Sequence, residues 1–303
     1  MYRIAITTTA LAAALAVLPI APATAASDAV YLGGTGTGTG LPALLGTGGD
    51  GSAFARAFVP DLDQRTDVIY NGSPVANPHD AVPAALAAIQ ATDDPAVVIG
   101  LSKGSQVARA AEQQDTRTDT RYVLVGDPDD DHGISRTFGL SAPKQEFTHD
   151  VEIVVAEYDG VGDMPDRPNL LATANALAGW AFVHPNYGTG GDADPLTRLD
   201  EAKVTTSKNP NGTTTTRKLI PTRELPLLKP LRDTERTLTR GRDDFTDAIE
   251  KPLRDRIDAG YSRNDKPKTT TTTPKSTTTS STRTTDTGSD TGSGSDAGTS
   301  TDD

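Results

Sequence analysis

Ala96-Val97-Val98-Ile99-Gly100-Leu101-Ser102-Lys103-Gly104 is the stretch from which the rest of the chain can be read. It begins with four apolar residues and no alternation, as in a strand buried on both faces of a parallel sheet. A G-x-S-x-G turn follows at once, and residues 103–113 then carry a helical pattern. Strand, sharp turn and helix in direct succession are the context of a nucleophile elbow. The turn lifts the serine hydroxyl above the strand ends, and glycines stand where a Cβ would collide. The alternation continues on either side: residues 29–32, 67–70, 122–125 and 151–156 read as strands. Residues 80–91, 170–181 and 243–258 read as helices, the last kinked or broken at Pro252. This order predicts an α/β fold of the α/β-hydrolase kind, a mostly parallel central sheet with helices on both faces.

The ends of the 303-residue chain differ from this body. Met1-Tyr2-Arg3 is followed by an apolar, Ala-rich run and then Ala23-Thr24-Ala25, the pattern of a signal peptide over residues 1–25 cleaved after Ala25. Residues 264–303 are Thr, Ser, Asp and Gly with almost nothing apolar, too little to offset ordering entropy, so a disordered tail is expected. The folding unit is therefore residues 26–263, long enough for one core. The chain has no Cys, which excludes disulfides, thiolate metal sites and a Cys nucleophile. A net charge of −12 argues against a nucleic-acid partner. No apolar run after the leader suggests a transmembrane segment. Secretion or an envelope location is expected, with the tail as a solvated spacer or an attachment to the cell wall.

A serine nucleophile needs a base, and the four histidines are His79, His132, His149 and His184. In α/β hydrolases the order is Ser, acid, His, which selects His184, placed after a helix and before a Gly-rich segment. His79 reads as a helix-start residue, and His132 and His149 as surface residues. The acid should follow the strand at 151–156, where Asp159 and Asp163 compete. Position in the Gly-flanked turn favours Asp163, with Asp159 as the alternative. Oxyanion donors would be the backbone amide of Lys103 and an amide from Gly33-Gly34-Thr35-Gly36, with Gly34 and Thr35 best placed. Two other patterns carry little. A G-x-G-x-x-G match at 46–51 lacks a preceding strand. Asp127, Asp129 and Asp131 alternate as in a calcium loop, but Gly133 is one place late and no Glu closes the loop. No metal and no cofactor is expected.

Several segments then occur together in a specific order: Gly100 to Gly104, Val125-Gly126-Asp127-Pro128, Tyr158-Asp159-Gly160-Val161-Gly162-Asp163-Met164-Pro165, Asn175 to Gly179, His184-Pro185-Asn186-Tyr187, Leu225 to Arg232 and Ala259-Gly260-Tyr261. Over about Val30 to Tyr261 the chain resembles the PE-PPE domain, a cutinase-like serine hydrolase module of mycobacteria and related actinobacteria. The resemblance implies an α/β-hydrolase fold, esterase activity on acyl esters or lipids, and Ser102, Asp163 and His184 as the triad. The chain departs from it in three ways. A signal peptide stands where a PE or PPE helical module would, which implies Sec- or Tat-type export. Lys103 replaces the usual Gln and changes the charge expected at the mouth. Asp129-Asp130-Asp131 makes an unusually acidic turn.

The expected function is that of an exported serine esterase working through an acyl-enzyme on Ser102. The alternatives are an acyltransferase that passes the acyl group to a sugar hydroxyl of an envelope glycolipid, and a non-catalytic envelope binding module.

Overall fold

The apolar run before the serine becomes β3 (Ala96–Leu101), the strand that a parallel sheet surrounds on both sides. In a computed structural model, described over residues 27–36, 51–92 and 96–265, it is joined by β1 (Ser27–Leu32), β2 (Leu62–Asp67), β4 (Arg121–Val125), β5 (Asp150–Ala156), β6 (Lys203–Lys208) and β7 (Thr214–Ile220). The order is β2-β1-β3-β4-β5-β7-β6, parallel throughout except for the β6–β7 hairpin. The expected leader, most of the 46–51 glycine pattern and the tail from Lys266 lie outside the described residues.

Side chains on successive strand residues point to opposite faces, so each buried strand feeds two cores. Val30, Leu32, Val98, Tyr122, Leu124 and Ile153 face one side, where they pack with α2 (Val82–Gln90) and α3 (Lys103–Glu112). Ala29, Val97, Ile99, Val123, Val125 and Val154 face the other, packing against α1 (Gly51–Arg56) and the segment around Val183 to Leu196. A third cluster, with Tyr158, Ala172, Leu225 and Ile257, joins α5 (Leu170–Phe182), α7 (Asp244–Asp258) and Tyr261. The remaining helices are the single turn α4 (Ile134–Thr137) and α6 (Lys229–Thr239). Among the described residues, no helix is long and apolar enough to cross a membrane.

The elements depart from the sequence pattern at one strand and one hairpin, and the last helix is not broken. The second strand ends at Asp67, and residues 68–70 lie outside it. An edge strand is covered on one side only, so Leu-Asp-Gln-Arg-Thr-Asp can pair with β1 without an apolar run. The β6–β7 hairpin was hidden by its Thr- and Lys-rich sequence, although Asn209-Pro210-Asn211-Gly212 between the strands is turn chemistry. Pro252 lies inside α7, which continues through it.

His149, expected at the surface, is buried. Its Nδ1 lies 3.0 Å from Glu112 Oε1, its Nε2 lies 2.7 Å from the Arg117 carbonyl, and Asp115 is 3.7 Å away. Both ring nitrogens face acceptors, which calls for an imidazolium. The Glu112 hydrogen bond raises the His149 pKa above its ordinary value. A histidine with a raised folded-state pKa contributes stability in full below its unfolded pKa of about 6.5, and loses it as pH rises through the folded value. Urea unfolding should therefore show the stability advantage of the wild type over His149→Gln shrinking as pH rises above about 6.5. An advantage that stays constant as pH rises would contradict a charged ring.

Candidate active site

The sheet reverses its winding direction between β1 and β3, and Ser102 stands at the carboxyl end of β3 beside that switch point, where open α/β sheets hold their ligands. Ser102 has φ 54° and ψ −117°, a strained conformation for a residue with a side chain. The flanking glycines make it attainable. A Cβ on Gly100 would lie 2.5 Å from the Gly104 carbonyl oxygen, and one on Gly104 would lie 2.0 Å from the Leu32 carbonyl oxygen. Only without those atoms can α3 start so close to β1 and β3. The Ser102 amide donates to the Val125 carbonyl at 2.8 Å, tying the turn to the end of β4.

The candidate oxyanion donors border this turn. The Lys103 amide opens α3, where no intrahelical acceptor exists for it. Gly34 lies against Ser102, since a Cβ there would sit 3.4 Å from the serine Cβ, whereas the neighbouring Thr35 is exposed. The Lys103 side chain does not charge the mouth as expected. It is 5% exposed, and its ammonium donates to the carbonyls of Ser73 at 2.6 Å and Ala76 at 2.5 Å. Burial pulls its pKa below the ordinary lysine value.

His184 follows directly on α5 and Val183. Gly179 lets that helix approach the Asp159 turn, because a Cβ there would lie 1.8 Å from the Tyr158 carbonyl oxygen. The structure pairs His184 with Asp159 and not with Asp163. His184 Nδ1 is 2.9 and 3.0 Å from the two Asp159 oxygens. A carboxylate only accepts, so Nδ1 carries the proton and Nε2 is left as the basic nitrogen. Asp159 is fully buried, and it also accepts from the Val161 amide at 2.9 Å and the Tyr187 hydroxyl at 3.0 Å. That hydroxyl in turn accepts from the Ala156 amide at 2.7 Å, so the end of β5 orients the carboxylate through Tyr187. Tyr187 went unread as a site residue, although it closes the His184-Pro185-Asn186-Tyr187 segment.

Asp163 has a different task. Its two oxygens accept from the Tyr158 amide at 2.7 Å and from Arg263 at 2.8 Å. Tyr158 has φ 62°, so this carboxylate buckles the left-handed turn that presents Asp159. Burial pushes the Asp163 carboxyl up to about 7, against the pull of Arg263. The Arg263 guanidinium thus belongs to this turn, and Asp265 pairs with Arg167.

Gly126, at φ +55°, brings His184 and Ser102 to one place. A Cβ there would lie 2.8 Å from His184 Cε1, and the residue before it is the partner of the Ser102 amide. Ser102 and His184 thus flank the end of β4. No hydrogen bond joins them among the described contacts, and such bonds commonly tighten when substrate binds. His79 is exposed beside its cap Asn77, and His132 is half-buried, its carbonyl accepting from the Met164 amide at 2.7 Å. The acidic turn does not gather round one point. Asp127 pairs with Arg109, Asp130 with Arg217 and Asp131 with Lys144, while Asp129 accepts from Gln106 and Ser141.

A PE-PPE domain profile matches residues 56–262. The chain belongs to the PE-PPE domain family. Proteins of Mycobacterium tuberculosis that the chain is similar to include the diacyltrehalose acyltransferase Chp2, 35% identical over 59% of this chain and 54% of its own. The SL1278 acyltransferase Chp1 is 34% identical over 48% of this chain and 40% of its own. The esterase PE16 is 28% identical over 55% of this chain and 34% of its own. The PE-PPE chain described here thus spans about half the length of these relatives, or less. A solved YdeN-like hydrolase of Pectobacterium atrosepticum aligns over 43% of this chain and 63% of its own, at 14% identity and TM-score 0.30, too loosely to bear on the fold.

The buried Asp163–Arg263 pair generates a prediction. Removing one partner leaves the other charge uncompensated, so Asp163→Asn should cost about 3 kcal/mol in urea unfolding. Adding Arg263→Met should recover part of that loss, which the double-mutant cycle reads as coupling. Independent, additive losses would mean that the pair does not hold the turn.

Proposed function

We propose that the protein is a serine-dependent acyl-ester hydrolase in which Ser102 is the nucleophile, His184 the general base and Asp159 the group that orients and stabilises it. The observation that carries this reading is the meeting of two features at the end of β4. One is a serine held at positive φ on an elbow; the other is a histidine whose Nδ1 is committed to a buried carboxylate.

In the first step His184 Nε2 takes the hydroxyl proton as Ser102 Oγ bonds to the ester carbonyl carbon. The carbonyl oxygen becomes an oxyanion, met by the Lys103 amide and by a donor from the Gly33 to Gly36 loop, Gly34 being nearest the serine. The tetrahedral species collapses, and the alcohol leaves with the proton returned by His184. Water then attacks the acyl-enzyme by the same route and releases the acid. Throughout, Asp159 stays ionised and stabilises the transient imidazolium.

A second reading replaces water by a sugar hydroxyl, and the names of two relatives as acyltransferases favour it. Both readings share every step up to the acyl-enzyme. A lipid or acyl-ester substrate fits either. The leader-like sequence at residues 1–25 supports export to the envelope, with the Thr/Ser/Asp-rich tail as the segment that would meet the wall. N-terminal sequencing of protein recovered from culture medium and envelope fractions tests this, and an uncleaved cytoplasmic product would refute it.

Purified protein should be labelled by a fluorophosphonate at Ser102 and should hydrolyse p-nitrophenyl esters. Ser102→Ala should lose both properties while keeping its circular dichroism spectrum. Asp159→Asn should lower kcat by about four orders of magnitude near neutral pH in a folded protein, and Asp163→Asn far less per folded molecule. Full activity of Asp159→Asn would reject the acid assignment. An unlabelled, inactive wild type would favour a non-catalytic binding module. Including a sugar acceptor and analysing products by mass spectrometry separates hydrolysis from transfer.

A further inference from the structure

Lys103 presents an energetic oddity. It is the first residue of α3, where the positive end of the helix dipole disfavours a cation, and among the described residues no carboxylate pairs with its buried ammonium. An ammonium at that position is not explained by helix stability. Its two acceptors, the carbonyls of Ser73 and Ala76, close one turn, since the Ala76 amide donates to the Ser73 carbonyl at 3.1 Å. The loop carrying that turn follows β2 and is tied at two more points to the other side of the elbow. The Gly36 amide donates to the Gly72 carbonyl at 2.8 Å, and the buried Tyr70 hydroxyl donates to the Gly33 carbonyl. Residues 70–76 therefore bridge the two backbone segments that would supply oxyanion donors, the Gly33 to Gly36 loop and the start of α3.

We propose that the 70–76 loop is a brace that fixes the spacing of the oxyanion donors, with the Lys103 ammonium as its latch and the Tyr70 hydroxyl as its second fastening. This inference rests on the acyl-enzyme reading above. Lys103 contributes twice, its amide facing the oxyanion and its side chain acting as a positioning group. Donors aimed at a charge that develops only in the transition state lower the barrier with little effect on ground-state binding. A loosened brace thus has a distinct kinetic signature.

The test uses the full chain with short p-nitrophenyl esters and an alkyl boronic acid as tetrahedral analogue. Fluorophosphonate labelling of the wild type at Ser102 is read first; without it the acyl-enzyme reading fails, and the brace with it. Given labelling, Lys103→Met keeps the backbone amide and removes the latch. It should lower kcat by about tenfold to a hundredfold, with KM within about twofold. Boronate affinity should fall by the same factor as kcat/KM. Tyr70→Phe removes one hydroxyl and should reproduce the pattern more weakly. The double variant should lose less than the product of the two single losses, because both fastenings serve one element. If Lys103→Met does not fold, Tyr70→Phe decides alone. Folded variants with wild-type kcat and boronate affinity, or a loss carried by KM alone, would overturn the proposal.

Discussion

The approach of α3 to within backbone contact of β1 is the constraint on which the rest of the site depends. Neither Gly100 nor Gly104 has room for a Cβ, and the helix can begin directly beneath Leu32 only for that reason. The same approach forces Ser102 into positive φ, places its side chain above the strand ends and points the first amides of α3 towards the crevice. Everything else at the site is arranged around that fixed point. β4 supplies the Val125 carbonyl that holds the Ser102 amide, and Gly126 then makes the gap into which His184 fits.

The turn after β5 divides labour between two carboxylates four residues apart. Asp159 is wrapped by donors that include His184 and Tyr187, and so serves the imidazole. Asp163 is consumed by the Tyr158 amide and Arg263, and so serves the turn. The second task makes the first possible. Tyr158 can hold a left-handed conformation because Asp163 accepts its amide, and that conformation presents Asp159 to His184. Arg263 comes from the last turn among the described residues, 100 residues after Asp163, and still forms part of the support of the site.

The PE-PPE profile spans residues 56–262 and places the chain in that family. The contacts of individual side chains distinguish Asp159, which faces His184, from Asp163, which holds the turn.

Much of this protein was legible in its sequence because the decisive signals are local. An unbroken apolar strand, a glycine-flanked serine and a helical pattern need only neighbouring residues, and they were enough to locate β3, the elbow and α3. The choice of His184 followed from chain order. Edge elements were harder: β2 and the β6–β7 hairpin expose polar side chains, and their pairing is made by backbone groups that leave little trace in composition. The roles of Asp159 and Asp163 could not be read from spacing, because either lies within reach of a histidine brought in by α5. Only the tertiary structure brings Arg263 to Asp163, Tyr187 to Asp159 and the Ser73 and Ala76 carbonyls to Lys103, contacts that span 100, 28, 30 and 27 residues. A charge's function depends on which partners reach it, and in a parallel sheet those partners arrive from distant strand ends.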